Sequence, residues 1–150
     1  MPAILSLVGA LIGASLSGWL AYRKSLSERW WDRKYQAYAE TLEALNSIRE
    51  DLEASFDAHL LNQELDEEHQ TELRKAYVHG RRSVEKQRSI GGLVISDEAI
   101  MALKKFEESL TQAAGASDYF SYLDGSLFAT SQAISSVLSE GRRELRAKND

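Results

Sequence analysis

The sequence predicts an all-α protein: a single N-terminal transmembrane helix that continues into a cytoplasmic antiparallel helical bundle of about four helices. Three observations predict this class. Proline occurs once, at Pro2, so no later position bars a helix. Residues 1–22 carry no charged side chain, and all 18 bases and 23 acids lie from Arg23 onward. Apolar residues beyond that boundary recur at spacings of three and four, the period of an amphipathic helix. The chain has 150 residues, 43% of them apolar and 27% charged, enough for one packed domain. Cysteine is absent, which excludes disulfides, thiolate metal sites and a cysteine nucleophile. The expected division is 1–22 as the membrane helix and 23–150 as the bundle.

Residues 3–22 are interrupted only by small residues. At 1.5 Å rise per residue they make a helix of roughly 30 Å, the thickness of a hydrocarbon core. A cleaved secretory signal and a buried core helix are the competing readings. The first expects a basic region ahead of the apolar stretch, and the second seldom stays uncharged for five turns. The bases that follow the run place residues 23–150 in the cytoplasm and the N-terminus outside, in the inner membrane. Gly9, Ala10, Gly13, Ala14, Ser17 and Gly18 form two rows of small residues at four-residue spacing. Such a face lets helices approach closely in lipid, so self-association or pairing with another membrane helix is expected.

Arg23, Lys24, Arg29, Trp30, Trp31, Arg33 and Lys34 follow the run and suit a membrane interface. An alternative seats Trp31 in the core with Trp30 half exposed. The first helix continues through Trp31, Tyr35, Tyr38, Leu42, Leu45, Ile48, Leu52, Phe56 and Leu60. Asn62 or Asp66 is expected to cap the second helix, about 66–88, with Leu73, Tyr77, Gly80 and Val84 on its apolar face. Gly91 and Gly92 end it. Ser96, followed by Asp97 and Glu98, starts a third helix bearing Ile100, Leu103, Phe106 and Leu110. A turn at 113–117 leads to the fourth, with Phe120, Leu123, Leu127, Ile134, Val137 and Leu145, reaching about Ala147. Gly125 and Thr130 interrupt its stripe.

Charge is segregated. Residues 50–72 hold nine acids and no Lys or Arg, and residues 73–88 hold six bases and one acid. In an antiparallel bundle the acidic stretch falls at the tip far from the membrane. Glu50, Asp51, Glu53, Asp57, Asp66, Glu67 and Glu68 are therefore the expected docking surface. The basic stretches at 81–88 and 142–148 would then point toward lipid, or would simply complement helix dipoles. A net charge of −5 and the lack of a stacking platform beside Arg81, Arg82, Lys86 and Arg88 argue against a nucleic-acid partner.

Catalytic and metal constellations are not legible. Asp66 and His69 have the spacing of half a carboxylate–histidine metal motif, and the other half is missing. Neither a phosphate-binding glycine loop nor a nucleophile elbow occurs. No catalytic residue, metal ligand or cofactor is therefore assigned.

From Arg29 to Tyr38, reading Arg-Trp-Trp-Asp-Arg-Lys-Tyr-Gln-Ala-Tyr, the chain resembles a loose group of small uncharacterised bacterial proteins. These carry an N-terminal membrane helix followed by a Trp, acidic, Lys and Ala-Tyr pattern. Ile95-Ser96-Asp97-Glu98-Ala99 and Arg142-Arg143-Glu144-Leu145 resemble later segments of that group. The resemblance implies a bacterial origin and an all-helical fold, and no activity. The expected function is a non-enzymatic, membrane-anchored interaction scaffold. Its expected partners are membrane lipid, a second copy or another membrane helix, and a cytoplasmic protein. A pore-forming effector and a helical enzyme are the alternatives.

Overall fold

The computed structural model describes the backbone of residues 2–63 and 65–146, and the side chains of residues 25–63 and 65–146. Among these residues there are four α-helices and no strand: α1 (Pro2–Leu61), α2 (Glu67–Ile90), α3 (Asp97–Ala113) and α4 (Tyr119–Arg146). A short 3-10 turn, Gly91–Leu93, joins α2 to α3. The all-helical expectation holds. Two compact units divide the chain, Met1–Arg33 and Lys34–Asp150. The second unit begins at Lys34. Lys34 ties α1 to α4 through Glu144.

Within this second unit the helices alternate in direction. Gln87 of α2 meets Glu40 of α1, while Arg74 meets Asp51, so α2 runs against α1. Tyr38 lies against Gly141 and Phe56 against Phe120, so α4 also runs against α1. Gly125 lies beside Ala113, and Glu98 pairs with Arg143, so α3 and α4 are antiparallel.

Local chemistry sets each boundary. Asn62 adopts φ 52°, the left-handed conformation that asparagine tolerates, and ends α1. Its N–H donates to the His59 carbonyl, and the Gln63 N–H reaches back to the Ala58 carbonyl at 2.9 Å, the Schellman pattern. Asn62 therefore stops α1 and does not start α2. Asp66 is the cap of α2, its carboxylate accepting from the His69 N–H. That bond also accounts for the Asp66–His69 spacing. Ser96 caps α3 by accepting from the Ala99 N–H at 3.1 Å. At the start of α4, Asp118 accepts from the N–H and hydroxyl of Ser121.

The core centres on Leu45, Ile48, Val84, Leu103, Phe106, Leu123 and Val137, all essentially inaccessible. On α1 the buried line is Tyr38, Thr41, Leu45, Ile48 and Leu52, an alternating three–four spacing. Extended backward, that rhythm reaches Lys34 and not Tyr35. Tyr35 is accordingly 64% exposed, and Leu60, past the end of the core, is 57% exposed. Both depart from the expected stripe.

α4 departs further. Its buried face is Leu123, Ser126, Ala129, Thr130, Ala133, Val137 and Gly141, while the larger Leu127 and Ile134 flank it. Small residues occupy the centre because the neighbouring helices come close there. The hydroxyls of Thr41 and Thr130 bond back to carbonyls of their own helices at 2.7 Å, which lets them be buried.

At Gly80 the backbones of α2 and α1 come close together. A Cβ there would lie 2.6 Å from the Ala44 carbonyl oxygen, a backbone atom that cannot swing aside. Alanine would gain about 1 kcal/mol of helix propensity, less than a core clash of about 1–3 kcal/mol once the gap must open. Gly80→Ala is expected to destabilise the bundle by about 1–2 kcal/mol in urea unfolding of the full chain in detergent. Gly92→Ala, with open space around it, should change stability little.

Candidate binding cleft

Toward the end of the bundle formed by the α1–α2 connection, α1, α2 and α4 line an open cleft of about 840 Å³. Each helix contributes by its own periodicity. Asp51 and Ser55 project from α1 one turn apart. Thr71, Lys75, His79 and Arg82 share a face of α2, with Arg74 beside them. Tyr119 and Tyr122, three residues apart on α4, close one end with stacked rings 5.9 Å between centroids. Phe56, His59 and Phe120 pack behind those rings, Phe56 and Phe120 at 5.0 Å.

Asp51 is the least expected group in this wall. It is 8% exposed, and among the described residues its one charged partner is Arg74, 3.9 Å away. Arg74 itself is largely in solvent and lies over the Tyr77 ring at 4.9 Å. Burial pushes the Asp51 carboxyl above its ordinary value, and the Arg74 charge opposes this only in part. Burial likewise raises the Tyr122 phenol.

A second polar cluster lies at the other end of the bundle. The Tyr38 hydroxyl donates to Glu144 Oε2 at 2.7 Å and accepts from the Ser96 N–H at 3.1 Å. Lys34 Nζ meets Glu144 Oε1 at 2.9 Å. Arg143 bridges Glu98 and Glu140. Burial raises the Tyr38 phenol, so it stays a neutral donor. This cluster locks helices together, and Glu98 and Glu140 at its edge also line a separate open groove of about 870 Å³ between α3 and α4.

The residues singled out from sequence fall into four groups. Gly9, Ala10, Gly13, Ala14, Ser17, Gly18, Arg23 and Lys24 lie outside the residues whose side chains are described, as does the run 3–22. No helix among the described residues is long and apolar enough to cross a membrane. Of the remaining interface residues, Arg29, Trp30 and Arg33 are exposed and Trp31 is half-buried, while Lys34 is held by Glu144 within the bundle. Glu50, Glu53, Asp57, Asp66, Glu67 and Glu68 are exposed as a docking surface requires. Asp51 is buried and leaves that set, because it stands between Ile48 and Leu52 on the inward face.

Of the basic stretches, Arg88 pairs with Glu107 at 3.0 Å and Arg143 with two acids, so these side chains serve the bundle. Among the described residues no group of three His, Asp or Glu is placed to hold a metal ion. Reading the sequence misses the cleft itself. Lys75, His79 and Arg82 do carry a signal, the i, i+4, i+7 spacing of one helix face, but their meeting with Tyr119 depends on tertiary packing. Comparison with protein-family models, curated proteins and solved structures finds no match to this chain.

The raised Asp51 carboxyl has a stability consequence with a definite sign. An acid whose folded pKa exceeds its unfolded one binds more protons when folded, so stability falls as pH rises between the two values. Above that window the full cost of burying the charge is present. Asp51→Asn is expected to raise the thermal midpoint at neutral pH. The advantage should shrink as pH is lowered through the carboxylate range, measured by thermal unfolding at several pH values.

Proposed function

We propose that the chain is a single-pass, membrane-anchored helical interaction protein of the bacterial inner membrane, non-enzymatic, with its bundle in the cytoplasm. The observation that carries this reading is the uncharged run 3–22, followed at once by Arg23 and Lys24. A run of that length favours hydrocarbon, and bases beside it favour the cytoplasmic side. The small-residue rows from Gly9 to Gly18 support association with a second copy or another membrane helix.

The bundle supports the interaction half of the reading. Glu50, Glu53, Asp57, Asp66, Glu67 and Glu68 give the end of α1 and the start of α2 an exposed acidic surface suited to a basic partner protein. Large apolar side chains also remain outside, among them Leu93 at 78% exposed and Met101 and Phe128 at 66% each.

The full chain is expected to stay with the membrane pellet after an alkaline wash. Arginine at both Leu7 and Leu11, at about 2.5–3.5 kcal/mol each near a helix centre, should release it into the supernatant. Recovery of the unaltered chain in the supernatant without detergent would overturn the anchor. Gly9→Ile with Gly13→Ile is expected to weaken self-association at least severalfold in a membrane dimerisation assay, and unchanged association would remove the small-residue face from the reading.

A further inference from the structure

The cleft between α1, α2 and α4 goes beyond an interaction scaffold. Its size is that of a site for one small organic molecule. Its charge opposes that of the chain as a whole: Arg74, Lys75 and Arg82, with His79, face one acid, although the chain is net −5. Among the described residues neither Lys75 nor Arg82 takes part in an ion pair, unlike Arg49, Arg88 and Arg143. The α2 wall therefore holds cations that the fold does not use.

The other two walls add different chemistry. Tyr119 is 54% exposed, with its ring stacked on Tyr122 and in perpendicular contact with His59 at 5.6 Å, so the aromatic surface it offers the cleft is the part these two rings leave open. Asp51 is a carboxylate acceptor in the α1 wall, its side chain 11% exposed, and its one charged partner among the described residues is Arg74 at 3.9 Å. A largely buried carboxylate with one charged partner at 3.9 Å is costly to the fold, and a ligand that brings donors offsets part of that cost. Burial raises its pKa accordingly. Cations, an aromatic ring and a carboxylate acceptor together match a ligand with a phosphate, a planar heterocycle and amino or hydroxyl donors.

We propose that this cleft binds a mononucleotide. Its base stacks on Tyr119, its phosphate oxygens accept from Lys75, His79 and Arg82, and its base amino or ribose hydroxyl groups donate to Asp51. An acidic peptide would satisfy the cations, but it would set carboxylates against Asp51 and leave the Tyr119 ring unused.

The test is calorimetric titration of the purified full chain in detergent micelles. The probes are adenosine and guanosine mono- and diphosphates, cytidine and uridine monophosphates, adenosine, inorganic pyrophosphate and a poly-glutamate peptide. At least one nucleotide is expected to bind more tightly than both its nucleoside and pyrophosphate. Lys75→Ala with Arg82→Ala should weaken that nucleotide at least tenfold. Tyr119→Ala should weaken it roughly tenfold and leave pyrophosphate unchanged, while Tyr119→Phe keeps the wild-type affinity. These side chains are exposed or half-exposed, and the Phe variant separates a stacking role from a folding one. The proposal is overturned if no nucleotide binds, if pyrophosphate or the peptide binds as tightly as every nucleotide, or if Tyr119→Ala has no effect.

Discussion

One buried phenol ties the bundle together. The Tyr38 ring is 2% exposed, and its hydroxyl meets the carboxylate of Glu144 on α4 and the backbone of Ser96, the cap of α3. A hydrogen bond to a charged acceptor is worth about 1.5–3 kcal/mol, and three helices share this junction. Glu144 tolerates partial burial because Lys34 neutralises its other oxygen at 2.9 Å. Ser96 in turn orients α3 by capping Ala99. The positions of α1, α3 and α4 are thus set by one connected polar network at a single end of the core.

Close backbone approach extends that constraint along the bundle. Gly141 lets the Tyr38 ring lie flat on α4, where a Cβ would stand 3.1 Å from the ring. Gly80 lets α2 touch the backbone of α1 at Ala44. Between them α4 presents Ser126, Ala129 and Ala133 to the core, so large side chains come mainly from α1 and α3. At the other end the filling changes to rings, with Phe56, Phe120, Tyr119 and Tyr122 in contact. Rings hold helices further apart than glycine and alanine do, and the cleft opens where they take over.

Asp51 stands at that change of packing. A carboxylate on the buried face of α1, with one distant arginine, runs against what stability alone would select. Locally inconsistent residues of this kind concentrate at functional positions, where a ligand supplies what the fold withholds. The contrast with Glu144 is instructive. Both are acids on inward-facing positions, yet Glu144 has a lysine and a phenol within 3 Å while Asp51 has Arg74 at 3.9 Å.

Helix identity and most boundaries were legible in the amino-acid sequence because they rest on local chemistry. Asp66, Ser96 and the Gly91–Gly92 pair act through neighbours a few residues away, and so does the absence of proline. The absence of charge from the run 3–22 is likewise a property of composition. Tertiary structure decided which face of each helix turns inward. Tyr35 and Leu60 read as core and lie outside, whereas Thr41, Asp51, Ser126 and Ala133 lie inside, because the local distance between helices selects for side-chain volume and the three–four rhythm selects the register. It also decided that Lys75, His79 and Arg82, which stand 44, 40 and 37 residues before Tyr119 in the sequence, share one cleft with it. That neighbourhood comes from three helices crossing at one level, which no spacing within a single helix encodes.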